Sequence, residues 1–219
     1  MAKTILFDLD GTLIDTEKYF RICWPKALRD FGYEMTDEQA LAMRSLGRPF
    51  AVEKLKGWFG EDFDYPAVRA HRKKLMEEMI SERGLDLKPG CRRLLSWLRE
   101  NGWTIAIATA TDPERSERYL RKIGLREYFT RIVCATEVKE GKPAPDIYLF
   151  ACEELGEAPG NVYAVEDSPN GVLSAARAGC KVIMVPDLTT ADSELSGLLY
   201  REAKDLTEII GILTEDGSV

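Results

Sequence analysis

A chain of 219 residues, 45% hydrophobic and 31% charged, has the length of one ordinary domain with an elaboration and the composition of a globular protein. Its net charge of −7 argues against nucleic acid as a principal partner, and no apolar run reaches the roughly 18 residues of a membrane span. Five scattered cysteines without a CxxC, and a single histidine, His71, exclude a multi-histidine metal centre and give no sign of a zinc site or redox pair. The N-terminal MAKTILFDLDG has no long apolar stretch before its first acids, so no secretory signal is read there, and reduced thiols and a cytoplasmic location are expected.

In chain order, TILFDL (4–9) is a short apolar run closed by Asp10-Gly11, the pattern of a buried strand and a tight turn. Residues 14–85 then break the pattern. They carry no convincing strand, balance 13 basic against 13 acidic side chains, and predict helices over 16–31, from the capping box that begins at Thr36, and over 48–59 and 66–82. From residue 86 helices and strands alternate. Apolar runs at 103–109, 131–135, 161–165 and 181–185 read as strands. Helices are predicted over 91–99, 113–123, 145–155 and 169–178, the last three opening on proline, with glycine after each of the four. Near-continuous apolar strands between helices imply an α/β fold, a parallel sheet covered on both faces. The expected domains are a core of residues 1–13 and 86–219 and an inserted α-helical cap of residues 14–85. The polar tail 214–219 is expected to fray.

Ligands of open parallel sheets sit beyond the carboxyl ends of the strands. The first strand brings Asp8 and Asp10 there, the second Thr109, Ala110 and Thr111, the loop after the third Lys142, and the fourth Glu166 and Asp167. Clustered carboxylates call for a hard divalent cation with oxygen ligands, and Mg2+ fits best. Lys142 and that cation can neutralise a phosphate, while Thr109 and backbone N–H groups such as that of Ala110 hold its oxygens. This set suits phosphoryl transfer. A carboxylate is ionised at pH 7 without a base, so Asp8 is the candidate nucleophile and Asp10, two residues on, the candidate acid and base.

In FDLDGT (7–12), IATAT (107–111), GKPAPD (141–146) and VEDS (165–168) the chain resembles the haloacid dehalogenase superfamily, in the branch of β-phosphoglucomutases and small phosphatases. The resemblance implies a Rossmann-like core with a five-stranded parallel sheet ordered 5-4-1-2-3 and a helical cap inserted after the first motif. It implies an aspartyl-phosphate on Asp8. It implies Mg2+ held by Asp8, Asp10 through its backbone carbonyl, and Asp167, with Glu166 close by. Asp146 would orient Lys142 or cap the next helix, and Arg48 matches a cap arginine that contacts a second phosphate or other anion. Two departures bear on activity. Phe20 stands where the mutases have a histidine, and Asp112-Pro113 where they have a Lys-Asn pair, which leaves that place without a cation. The expected activity is therefore a phosphatase acting on a small phosphorylated metabolite that carries one phosphate, with no obligate protein partner. A sugar-phosphate mutase and a non-catalytic phospho-acceptor are the alternatives.

Overall fold

A computed structural model describes residues 3–217. Six strands, β1 (Thr4–Phe7), β2 (Thr104–Thr109), β3 (Arg131–Cys134), β4 (Val162–Glu166), β5 (Lys181–Met184) and β6 (Arg201–Glu202), form one parallel sheet ordered β3-β2-β1-β4-β5-β6. The order 5-4-1-2-3 is present, but the count of five strands is corrected to six. β6 is two exposed charged residues on the sheet edge, so no apolar run announces it. It is held by its flanks, with Tyr200 N donating to Val182 O and Ala203 N to Met184 O, both at 2.8 Å.

Alternation along β1 divides the core. Ile5 and Phe7 pack in one cluster with Leu94, Leu95 and Leu98 of α5 (Cys91–Glu100). Leu6 faces the other, with Ile147 and Ala151 of α7 (Asp146–Leu155) and Val172 and Ala175 of α8 (Pro169–Ala178). α6 (Pro113–Lys122) precedes β3, and α9 (Ser193–Ser196) and α10 (Glu208–Glu215) complete the chain. Thr214 and Glu215 thus belong to the last turn of α10, and residues 218 and 219 of the expected frayed tail lie outside the described residues, as do residues 1 and 2.

Between β1 and α5 the described chain is helical: α1 (Glu17–Asp30), α2 (Asp37–Ala42), α3 (Phe50–Phe59) and α4 (Tyr65–Arg83). The Thr36 capping box opens α2, with both reciprocal bonds to Gln39 present. α1 packs along α4, and His71 Nε2 lies 2.7 Å from Asp30 Oδ2 across that contact, a structural rather than catalytic position. The two ends of the insert are pinned together. Asp15 N donates to Asp86 O (2.9 Å) and Lys88 N to Leu13 O (3.0 Å), and Ile14 bridges Leu87. All five cysteines are free and buried, and none of the described helices is long and apolar enough to cross a membrane.

Candidate active site

Parallel pairing brings the ends of β1, β2 and β4 level, with Phe7 opposite Ile107 and Val165. The residues just beyond therefore meet at one edge. Asp8, Asp10, Thr109, Lys142, Glu166 and Asp167 are all buried there. Lys142 Nζ donates to Asp8 Oδ1 and Glu166 Oε1, both at 2.6 Å, and Tyr148 OH donates to the same Glu166 oxygen at 2.6 Å. Among the described residues no hydrogen bond joins Asp146 to Lys142, and α7 has no side-chain cap bond. Asp146 Oδ1 accepts the Glu140 N–H at 3.3 Å and braces the loop that carries Lys142.

Asp10 is held differently. Thr16 donates to its Oδ1 (2.6 Å) and Thr111 to its Oδ2 (2.5 Å), so the carboxylate is fixed from both sides while it lines the cleft. Gly11 makes the turn possible. Its φ is +86°, and a Cβ there would lie 2.3 Å from Asp167 Oδ2. Thr109 Oγ1 accepts the Thr111 N–H (3.1 Å), and Thr109 and Ala110 form the cleft wall beside Asp8.

Burial dominates the electrostatics. It raises Asp8 against the pull of Lys142, raises Glu166 to about 8 against Lys142, and raises Asp167 to about 7 against Arg44. Glu17, also buried, is raised well above the carboxylate range. Three buried cations, Lys142, Arg44 and Arg115, thus face five buried carboxylates, those of Asp8, Asp10, Glu17, Glu166 and Asp167. Asp8 Oδ2 and Glu166 Oε2 have no hydrogen-bond partner, and oxygens of Asp8, Glu166 and Asp167 lie within 4.8 Å of one another. Orphaned acceptors in an all-oxygen set with excess negative charge fit a hard divalent cation.

Arg44 was not singled out by sequence reasoning. The segment after α2 lays its guanidinium against Asp167, with Glu17 Oε2 3.3 Å and Asp187 Oδ2 3.5 Å away. Burial lowers its pKa, but Asp167, Glu17 and Asp187 outweigh that and leave it raised. Its signal was position, a cation next to the buried Met43 just after α2. Arg48, which was singled out, is exposed and lines the cleft without touching the buried acids. Its main chain matters more directly. Gly47 N donates to Lys142 O (2.8 Å) and Gly141 N to Arg48 O (2.7 Å), and a Cβ on Gly47 would lie 2.5 Å from Gly141 Cα. Gly47→Ala is therefore expected to pry the Gly47 segment from the Lys142 loop and lower kcat/KM by roughly tenfold to a hundredfold, because small misplacements around a reacting centre are costly. Steady-state kinetics within about twofold of the parent would mean that this contact does not set the reacting geometry.

Between insert and sheet lies a cleft of about 800 Å3 with Asp8 and Asp10 in its wall. Arg72 of α4 and Arg115 of α6 line the same cleft, buried cations that no sequence motif singled out, and Arg115 Nη2 lies 3.9 Å from Asp10 Oδ2. Arg115 returns a positive charge to the wall where Asp112-Pro113 offers none. Phe20 lies beneath both, with ring-to-guanidinium distances of 4.7 and 5.3 Å.

A family model described as haloacid dehalogenase-like hydrolase matches residues 2–179. The chain is 33% identical over 186 residues to hexitol phosphatase A of Escherichia coli, covering 84% of this chain and 83% of that protein. It is 29% identical over 185 residues to a phosphorylated carbohydrates phosphatase of Thermotoga maritima, covering 83% of each. Among solved structures, CbbY from Rhodobacter sphaeroides in complex with phosphate superposes with a TM-score of 0.80 at 29% identity, over 95% of this chain and 96% of that one.

Proposed function

From a chain that belongs to the haloacid dehalogenase-like hydrolases, we infer a phosphatase that hydrolyses a small phosphorylated metabolite, depends on magnesium and works through an aspartyl-phosphate. The observation that carries the reading is Asp8: a buried carboxylate beyond the central strand, 2.6 Å from Lys142, with its second oxygen bare and Asp10 beside it in the cleft wall.

Asp8 attacks phosphorus while the bond to the leaving oxygen breaks, and Asp10 gives that oxygen its proton. Asp10 then takes a proton from water as the water attacks the phosphorus of the aspartyl-phosphate, which releases phosphate and restores Asp8. Thr16 and Thr111 hold Asp10 in position for both transfers. Lys142 and the Thr109 and Ala110 wall bind the phosphoryl oxygens. Magnesium would be held by Asp8, the Asp10 main-chain carbonyl and Asp167, with Glu166 beside them, and would supply positive charge against the phosphoryl oxygens. Residues 14–85 act as a cap that excludes water during the first transfer, and the Leu13–Asp15 and Asp86–Lys88 crossing is its hinge.

The test is a panel of phosphomonoesters with released phosphate measured, run beside β-glucose 1-phosphate with a trace of the bisphosphate. Phosphate release supports hydrolysis. Fast glucose 6-phosphate formation with little free phosphate would make the protein a mutase instead. Arg48, at the cleft rim, is expected to hold an anionic part of the substrate, so Arg48→Ala should raise KM roughly tenfold for the preferred metabolite. A rise of the same size for p-nitrophenyl phosphate would move Arg48 onto the transferred phosphate.

A further inference from the structure

Arg72 and Arg115 are 4% and 6% exposed, and neither is surrounded by carboxylates as Arg44 is. Arg72 forms no ion pair among the described residues. Its one hydrogen-bond contact is from Nη1 to Met76 Sδ at 3.7 Å, and Arg115 Nη1 reaches the same sulfur at 3.8 Å. Arg115 Nη2 donates to Thr111 Oγ1 at 2.5 Å and lies 3.9 Å from Asp10 Oδ2, a carboxylate already bonded to two hydroxyls. The Nε atoms of both arginines have no partner. A thioether is a weak acceptor, and the faces of Phe20 and Trp24 attract guanidinium without neutralising it.

Two like charges buried against one sulfur and one ring repel each other. Burial first, then Arg115 and Arg69, press the Arg72 pKa down to about 9, which leaves it protonated at neutral pH. An unpaired buried guanidinium is unfavourable and aromatic stacking offsets only part of that, so the pair is arranged to receive an anion. Both side chains line the cleft, and the 3.9 Å approach of Arg115 to Asp10 puts the pair on the side where the ester's leaving group lies. Phe20 then has a role of its own, as the floor on which both guanidiniums rest.

We propose that Arg72 and Arg115 together bind a second acidic group, a carboxylate or a phosphate, on the leaving-group portion of the substrate. The preferred substrate is thus a small phosphomonoester with a further anionic group a short spacer from the ester oxygen. This rests on the phosphatase reading above and adds a second anionic group to the one transferred phosphate expected there. Guanidinium forks suit either group, since both accept paired N–H donors.

The experiment compares matched probes that differ only in the second charge. Phosphoglycolate is set against ethylene glycol monophosphate, and glycerol bisphosphate against glycerol monophosphate, with p-nitrophenyl phosphate as reference. For the unaltered protein, kcat/KM for the charged member of at least one pair should exceed that of its partner by ~30-fold or more, mostly through KM. The pair that responds identifies carboxylate or phosphate. In Arg72→Met and Arg115→Met the ratio should fall toward one, and because each ratio is internal to one variant, a general loss of folded protein cancels from it. Hydrolysis of the reference and the monophosphates with no preference for the charged members would overturn this inference and leave the phosphatase reading standing. No phosphate release from any probe, with magnesium present, would overturn both.

Discussion

Asp8→Asn is expected to lower phosphate release by several powers of ten while leaving the fold intact. The amide has nearly the same shape but cannot displace an oxygen from phosphorus, and removal of a nucleophile is among the largest single effects on turnover. The fold should tolerate it. Lys142 keeps Glu166 at 2.6 Å, and one repelling charge leaves a cluster in which burial already raises Asp8. Thermal unfolding should therefore stay within about 2 kcal/mol of the parent, the scale of one altered buried hydrogen bond. Turnover within roughly tenfold of the parent would remove Asp8 from the nucleophile's role.

Chelation is the second large effect. With five buried carboxylates against Lys142, Arg44 and Arg115, and with bare oxygens on Asp8 and Glu166, the site is short of positive charge before any substrate phosphate enters. Excess chelator is expected to stop turnover, and magnesium to restore it. The melting temperature should also rise with added magnesium, because an ion that binds only the folded state stabilises it by an amount that grows with the logarithm of its concentration above Kd. Undiminished activity in excess chelator would point to metal-free chemistry at Asp8. A melting temperature indifferent to magnesium would count against a buried ion at this cluster.

What was legible in the sequence followed the apolar pattern. Strands buried on both faces leave continuous runs such as TIAIAT, and Pro169 to Ala178 begins and ends where its proline and glycine signals put it. The acids at strand tips were legible for the same reason, since a parallel sheet aligns its carboxyl ends. β6 was not legible, because two exposed residues on an edge carry no burial signal. The arginines went unremarked for a different reason. They belong to no motif and sit at no strand end, yet Arg72 falls in phase with Val68, Leu75 and Met76, all buried. A cation inside an apolar stripe is itself a signal, for it must meet an anion or lie in a cleft that receives one. Arg44 is the first case, with three carboxylates around it, and Arg72 the second.

The covalent step on Asp8 is tested most directly by trapping it. The unaltered protein, turning over radiolabelled p-nitrophenyl phosphate with magnesium, is quenched in acid, digested, and its peptides mapped for label. Label on the peptide that contains Asp8, absent in Asp8→Asn and chased away by unlabelled substrate, is the expected result. Steady phosphate release with no label on that peptide at any quench time, or with label on another residue, would contradict the account.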